Sequence, residues 1–257
     1  MKTKILKQIN YIFITAIFLT FFLLFTPSNV IAAATDSDQD GIGDDKEINF
    51  FHTDPDKADT DGDGDNDWEE IQDGSSPRHY GNVRLSSLDS DEDGLIDSWE
   101  IRIKTDLLNP DSDNDGFEDG LEFFNGYDPK NKEKIKIQKL IKVSIKDQNL
   151  AYYFGDVKLD EFLISGGVKS MPTPLGEFEI LDKVPSKDYG GWGYNFSYPD
   201  TKWNLHFTTN YYRYYIHGAY WHDNFGKPMS HGCVNVAYAD MEKLYHFAEV
   251  GTKVLIN

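Results

Sequence analysis

Four copies of one twelve-residue carboxylate pattern fill much of the first half of this 257-residue chain and leave that half little freedom in how it folds. Aligned on their first Asp, the copies are Asp36, Asp38, Asp40, Asp44 and Glu47; Asp59, Asp61, Asp63, Asp67 and Glu70; Asp89, Asp91, Asp93, Asp97 and Glu100; and Asp111, Asp113, Asp115, Asp119 and Glu122. The carboxylates fall at positions 1, 3, 5, 9 and 12, and position 6 is Gly41, Gly64, Gly94 or Gly116. Ca²⁺ takes six to eight oxygens, which alternating side chains at 1, 3 and 5 can supply, with Gly permitting the sharp turn and the carboxylate at 12 binding through both oxygens. The spacing therefore predicts four structural Ca²⁺ sites using all twenty carboxylates. A solvated acidic tail is the alternative for such a composition. Against it stand the apolar residues beside each loop: Ile48, Phe50 and Phe51; Trp68 and Ile71; Leu95, Ile96 and Trp99; Phe117, Leu121, Phe123 and Phe124.

Charge marks where this segment stops. Residues 35–130 hold 30 Asp plus Glu against 7 Lys plus Arg, whereas residues 131–257 hold 14 against 15. A net −23 followed by +1 predicts two modules divided near residue 130, and neither is basic enough to suggest nucleic acid. The loops begin 23, 30 and 22 residues apart, with Pro at 55, 110 and 129 between or after them. Pro breaks helices, which disfavours paired helix-loop-helix hands. The segment 36–129 resembles thrombospondin type 3 repeats of exported bacterial proteins, which implies a small irregular domain wrapped around calcium. Empty loops would leave the −23 uncompensated, so residues 35–130 are expected to expand without calcium. The nearly neutral remainder is expected to fold without it.

The first residues read as an export signal. Lys2, Lys4 and Lys7 precede an apolar run from Tyr11 to Phe25, and Ala32, Ala33 and Ala34 supply a small-residue cleavage site. Residues 1–34 are thus expected to direct the rest out of the cytoplasm, to cell wall or periplasm. If they are not cleaved, the run is close to the roughly 20 residues that span a bilayer and would anchor the chain.

From Lys139 onward the pattern changes to strands: Ile141, Val143 and Ile145 alternate with polar residues, and turns near Asn149 and Gly155 suggest hairpins. Helical periodicity is clear once, at Met241, Leu244, Tyr245 and Ala248, before Gly251 and a last strand. A strand is also predicted from Tyr211 to Ile216. The single cysteine, Cys233, excludes an internal disulfide. It lies in Ser230-His231-Gly232-Cys233-Val234-Asn235, with His217-Gly218 sixteen residues before it. A thiol attacks as thiolate, and a nearby imidazole can lower its pKa. His231 is two residues from Cys233, so on an extended backbone they share a face. Gly232 is expected to offer its N–H, with that of Cys233, to an oxyanion. A buried small hydrophobe is the bland alternative for Cys233, and the two His-Gly elements argue against it. A zinc site from His206, His217 and His222 lacks ligand spacing.

These residues, with Met171-Pro-Thr-Pro-Leu-Gly-Glu-Phe178, resemble the L,D-transpeptidase family (YkuD domain) over about residues 139 to 256. The resemblance implies a mostly-β catalytic domain, a β-sandwich with one clear helix, at 131–257. It also implies Cys233 as acylated nucleophile, His217 as general base oriented by the Gly218 carbonyl, and Ser230, His231 and Gly232 around the oxyanion. Asn235, at a position where many members have Arg, is implied in substrate binding, and the Met171 segment is given no chemistry. The implied reaction is acyl transfer on peptidoglycan stem peptides forming 3→3 cross-links, with no organic cofactor. Two other outcomes stay open at this level: hydrolysis of stem peptides by the same site, and a non-catalytic calcium-dependent wall-binding protein.

Overall fold

The structure is a computed structural model that describes residues 35–190, 196–209 and 212–257. The export signal and Tyr211 lie outside the described residues.

Each acidic loop ends in a short helix that begins at the position-9 Asp. These are α1 (Asp44–Lys46, continued by a π-helical turn Glu47–Phe51), α2 (Asp67–Asp73), α3 (Asp97–Ile103) and α4 (Asp119–Phe124). The position-6 glycines have φ of 92° to 107°, the left-handed region a side chain would strain. In the last three loops their N–H groups turn inward to the position-1 carboxylate: Gly64 to Asp59 at 2.9 Å, Gly94 to Asp89 at 3.0 Å and Gly116 to Asp111 at 2.9 Å.

The position-9 Asp of each loop is tied to the residue at position 2. Both oxygens of Asp67 accept from Thr60, its N–H at 2.8 Å and its hydroxyl at 2.7 Å. Ser37, Ser90 and Ser112 hold Asp44, Asp97 and Asp119 in the same way. Position 9 thus fixes the loop to its helix, where an acidic first turn also suits the helix dipole.

Beyond residue 138 the strands are β1 (Lys139–Ser144), β2 (Asn149–Phe154), β3 (Val157–Ser165), β4 (Gly176–Glu179), β5 (Asp182–Gly190), β6 (Ser197–His206), β7 (Tyr215–Gly218), β8 (Val234–Val236) and β9 (Lys253–Ile256), with α5 (Tyr238–Phe247) before the last. Their order is β4-β9-β1-β2-β3-β8-β7-β6-β5. The β3 strand serves two half-sheets: most of it pairs with β2, while Ile164 and Ser165 pair with Val236 and Asn235 of β8. Residues of both half-sheets and of α5 share one hydrophobic cluster. This is a mostly-β fold whose one clear helix is α5.

The predicted strand over Tyr211–Ile216 begins later, at Tyr215. The Thr208 hydroxyl accepts from the Tyr214 N–H at 2.9 Å and donates to the Tyr212 carbonyl at 3.0 Å, so these groups bond to Thr208 rather than to a strand neighbour.

The charge boundary near residue 130 is not a boundary in packing. Asp36–Asn257 is one compact unit, and Leu95, Trp99, Ile103 and Phe123 belong to the same cluster as Tyr152, Phe154 and Phe247. Among the described residues no helix is long and apolar enough to cross a membrane.

Candidate active site

Cys233 stands at the end of a tight turn just before β8. Gly232 has φ +110°, and a Cβ there would lie 2.3 Å from the Tyr214 ring, so only glycine fits. The Ser230 hydroxyl donates to the Cys233 carbonyl and accepts from the Gly232 N–H at 3.2 Å. That N–H, expected at an oxyanion, is thereby engaged in the turn. The Thr173 hydroxyl lies 3.5 Å from the same Cys233 carbonyl and accepts from the Gly167 N–H at 2.9 Å. Further bonds join Val168 N–H to the Ser230 carbonyl at 2.9 Å and Ser230 N–H to the Gly166 carbonyl at 3.0 Å. The Met171–Phe178 segment, given no chemistry above, therefore buttresses the turn that presents the thiol.

His217 comes from β7, which runs parallel to β8 and pairs His217 with Asn235. Its Nδ1 is 2.9 Å from the Gly218 carbonyl, which accepts the ring proton there and leaves Nε2 as the acceptor. The imidazole stacks on Tyr189 with centroids 4.4 Å apart and rings 27° from parallel. The Tyr189 hydroxyl donates to Asn204 Oδ1 at 2.8 Å, and the Asn204 amide donates to the carbonyls of Val184 and Thr201 at 3.0 and 2.9 Å. Two neighbouring strands thus hold the ring in one plane. No motif points to Tyr189 or Asn204, while Thr173 lies in the Met171–Phe178 segment quoted above, to which no chemistry was given.

Cys233, His217, Ser230, His231 and Asn235 line one cleft, walled by Tyr189, Phe196, Tyr198, Trp221 and Met229. Asn235 Nδ2 sits 3.2 Å from His222 Nε2. His231 is exposed and stacked on Phe196, centroids 4.9 Å apart, where it lines the same cleft. His206 meets Arg213 through both ring nitrogens, at 3.4 and 3.2 Å. Every group of described side chains able to hold a metal consists of carboxylates alone.

Burial dominates the electrostatics of the cleft. It pushes the Cys233 thiol up to about 11, opposed by the Tyr215 backbone and by Lys187. It pushes His217 down to about 4. Both directions favour the uncharged forms, so burial works against a stored thiolate–imidazolium pair.

The acidic loops gather their oxygens as a hard cation requires. Positions 1, 3 and 5 of each loop bring carboxylate oxygens within 4.8 Å of one another, and Asp40, Glu47 and Asp67 form a further group joining the first two loops. One oxygen of each position-12 Glu (Glu47, Glu70, Glu100 and Glu122) is buried with no hydrogen-bond partner. Atoms of Asp36, Asp38, Asp40, Asp61, Asp89, Asp91 and Asp113 share that state. Buried polar atoms are normally paired, so orphans confined almost entirely to loop carboxylates fit a divalent ion. Loss of hydration, then repulsion from Asp91 and Asp93, raises Glu100 to about 9. Glu70 is raised to about 8 in the same way. A bound cation would offset both costs.

Residues 138–256 match the L,D-transpeptidase catalytic domain family, YkuD. Residues 89–110 and 111–132 match the bacterial TSP3 repeat. No curated protein matches the chain. Similar solved structures include an L,D-transpeptidase from Mycobacterium smegmatis, 21% identical over 48% of this chain and 59% of that one, TM-score 0.44. An L,D-transpeptidase from Mycobacterium tuberculosis is 23% identical over 48% and 59%, TM-score 0.43. The catalytic domain of the E. faecium L,D-transpeptidase is 26% identical over 47% and 97%, TM-score 0.42. The chain thus spans about 59% of the length of the two mycobacterial proteins. The strands that carry Cys233 and His217 fall inside the matched segment, and the chain therefore carries an L,D-transpeptidase catalytic domain of the YkuD family at residues 138–256, adjoining bacterial TSP3 repeats at residues 89–132.

Proposed function

We propose that this protein is an exported, cell-wall-directed cysteine acyltransferase that forms 3→3 cross-links between peptidoglycan stem peptides, with Ca²⁺ as a structural ion in its acidic loops. The observation that carries this reading is one cleft holding Cys233 and a buried, neutral His217 whose Nδ1 proton is engaged by Gly218.

In the first half-reaction the Cys233 sulfur attacks the carbonyl carbon of the third stem residue while its proton passes to His217 Nε2. The S–C bond forms, the C–N bond to the terminal D-Ala breaks, and the His217 proton leaves on the departing amine. In the second, an amine from a neighbouring stem attacks the thioester, gives a proton to His217, and releases the sulfur, which takes that proton back. A low-polarity cleft strengthens each charge interaction during these steps. Aromatic walls from Tyr198 and Trp221, stacked at 3.8 Å, limit access of water to the thioester.

When bound, Ca²⁺ neutralises and fastens the loops. Positions 1, 3, 5 and 12 would hold it, while position 9 braces the loop through the residue at position 2 and Asp67 adds an oxygen beside Asp40 and Glu47.

Incubation with disaccharide-tetrapeptide followed by mass analysis tests the reaction. A dimer lacking one D-Ala is expected; tripeptide alone would make the protein a carboxypeptidase, and unchanged substrate would remove the enzymatic reading. A carbapenem should leave one covalent adduct on the chain and none on Cys233→Ser.

Thr173→Val keeps the side-chain volume and removes the hydroxyl beneath the nucleophile turn. One lost hydrogen bond of about 0.5–1.5 kcal/mol should slow adduct formation by roughly two- to tenfold. An unchanged rate would detach the 166–173 loop from the presentation of Cys233.

A further inference from the structure

We propose that the third and fourth loops are a wall of the catalytic domain, so that Ca²⁺ bound at these two loops holds the catalytic fold together while Ca²⁺ at the first two does not. This rests on the calcium reading of the loops.

The side chains next to the position-12 glutamates carry the inference. Trp99 adjoins Glu100 and is 4% exposed; Phe123 adjoins Glu122 and is fully buried. The Trp99 ring lies 5.3 Å from Phe123, 6.2 Å from Tyr152 of β2 and 6.4 Å from Phe247 of α5. Phe123 lies 4.8 Å from Phe154. In the third loop Leu95, at position 7, is also fully buried in that cluster. In the first two loops Ile48, next to Glu47, is 56% exposed and Trp68 is 38% exposed, and no residue of either loop joins the cluster.

Two polar ties reinforce the joint. Asp93 of the third loop accepts from the Gly120 N–H of α4 at 2.7 Å, in so close an approach that a Cβ on Gly120 would lie 2.4 Å from the Asp93 carbonyl oxygen. Lys139, buried at the start of β1, donates to the carbonyls of Phe124 and Phe247, each at 2.9 Å, and so joins the ends of α4 and α5. The loops therefore cannot open without exposing the aromatic rings that back β2 and α5. Sequence alone suggested a catalytic half indifferent to calcium; the packing points the other way.

The test measures hydrogen exchange of β2 (Asn149–Phe154) in the full chain, with 1 mM Ca²⁺ or with chelator, beside calorimetric titration of Ca²⁺. For dissociation constants of roughly 10⁻⁴ to 10⁻³ M, each site lowers the population of an open state by about 2- to 11-fold, and two sites by about 4- to 120-fold. Slower exchange in that range is expected in the wild type. It should be lost in Glu100→Gln with Glu122→Gln and kept in Glu47→Gln with Glu70→Gln. Should the first pair fail to fold, the wild-type comparison still decides. Ca²⁺ that binds without changing β2 exchange would overturn the proposal and leave the calcium reading intact, and equal loss in both variant pairs would overturn the asymmetry. An absence of binding heat would overturn both.

Discussion

Turnover of a tetrapeptide substrate by Cys233→Ser will fall at least about 10³-fold below wild type while the thermal unfolding curve stays in place. Chemistry and structure part cleanly at this residue. The turn is gripped through its backbone, by Ser230 and Thr173 at the Cys233 carbonyl and by the conformation of Gly232, and none of these contacts involves the sulfur. Exchanging sulfur for oxygen therefore leaves the fold as it is. A hydroxyl, however, is a far weaker acid than a thiol, and a neutral imidazole cannot supply enough of its anion. His217→Ala should cost about 10²–10⁴-fold, the usual worth of a positioned base. Unlike the cysteine change it should also lower stability, because it empties the space under the Tyr189 ring. A Cys233→Ser chain within tenfold of wild type would remove the thiol from the mechanism.

What could be read from residues alone was local, and what could not was the result of distant segments meeting. The loop spacing is a property of twelve consecutive residues, and the gathering of positions 1, 3 and 5 follows from it. The bracing of position 9 went unread because it depends on position 2, a Ser or Thr in every copy, a regularity visible in the sequence whose meaning depends on backbone geometry. Trp99 and Phe123 were legible as residues that an acidic tail would not need. Their destination was not, since Tyr152 and Phe247 lie about 30 to 150 residues away in the chain. The same holds for Tyr189, which sits in a strand of mostly polar residues and shows its role only where β5, β6 and β7 lie side by side. The strands and α5 were within reach because alternation and helical spacing are themselves local.

The pH profile separates two pictures of the Cys233–His217 pair, and the structure favours the one that sequence reasoning did not. Proximity of a thiol to an imidazole argues for a lowered thiol pKa and a stored ion pair; burial instead pushes Cys233 up to about 11 and His217 down to about 4. For the free enzyme, kcat/KM should stay level from about pH 5 to 9. Its acid limb should fall near 4, where His217 gains a proton and can no longer accept one. At pH 5.5 a histidine of ordinary pKa 6.5 would leave about a tenth of the activity, whereas His217 should leave more than about nine-tenths. Stability carries the same signature. The folded chain resists protonating His217 while the unfolded chain does not, so the contribution is present above about pH 6.5 and is lost as the pH falls toward 4, by at most about 3 kcal/mol. His217→Gln should flatten that part of the stability curve. An acid limb of kcat/KM at pH 6 to 7 would mean that the resting enzyme stores a thiolate and an imidazolium, and that the cleft is more polar than its aromatic walls imply.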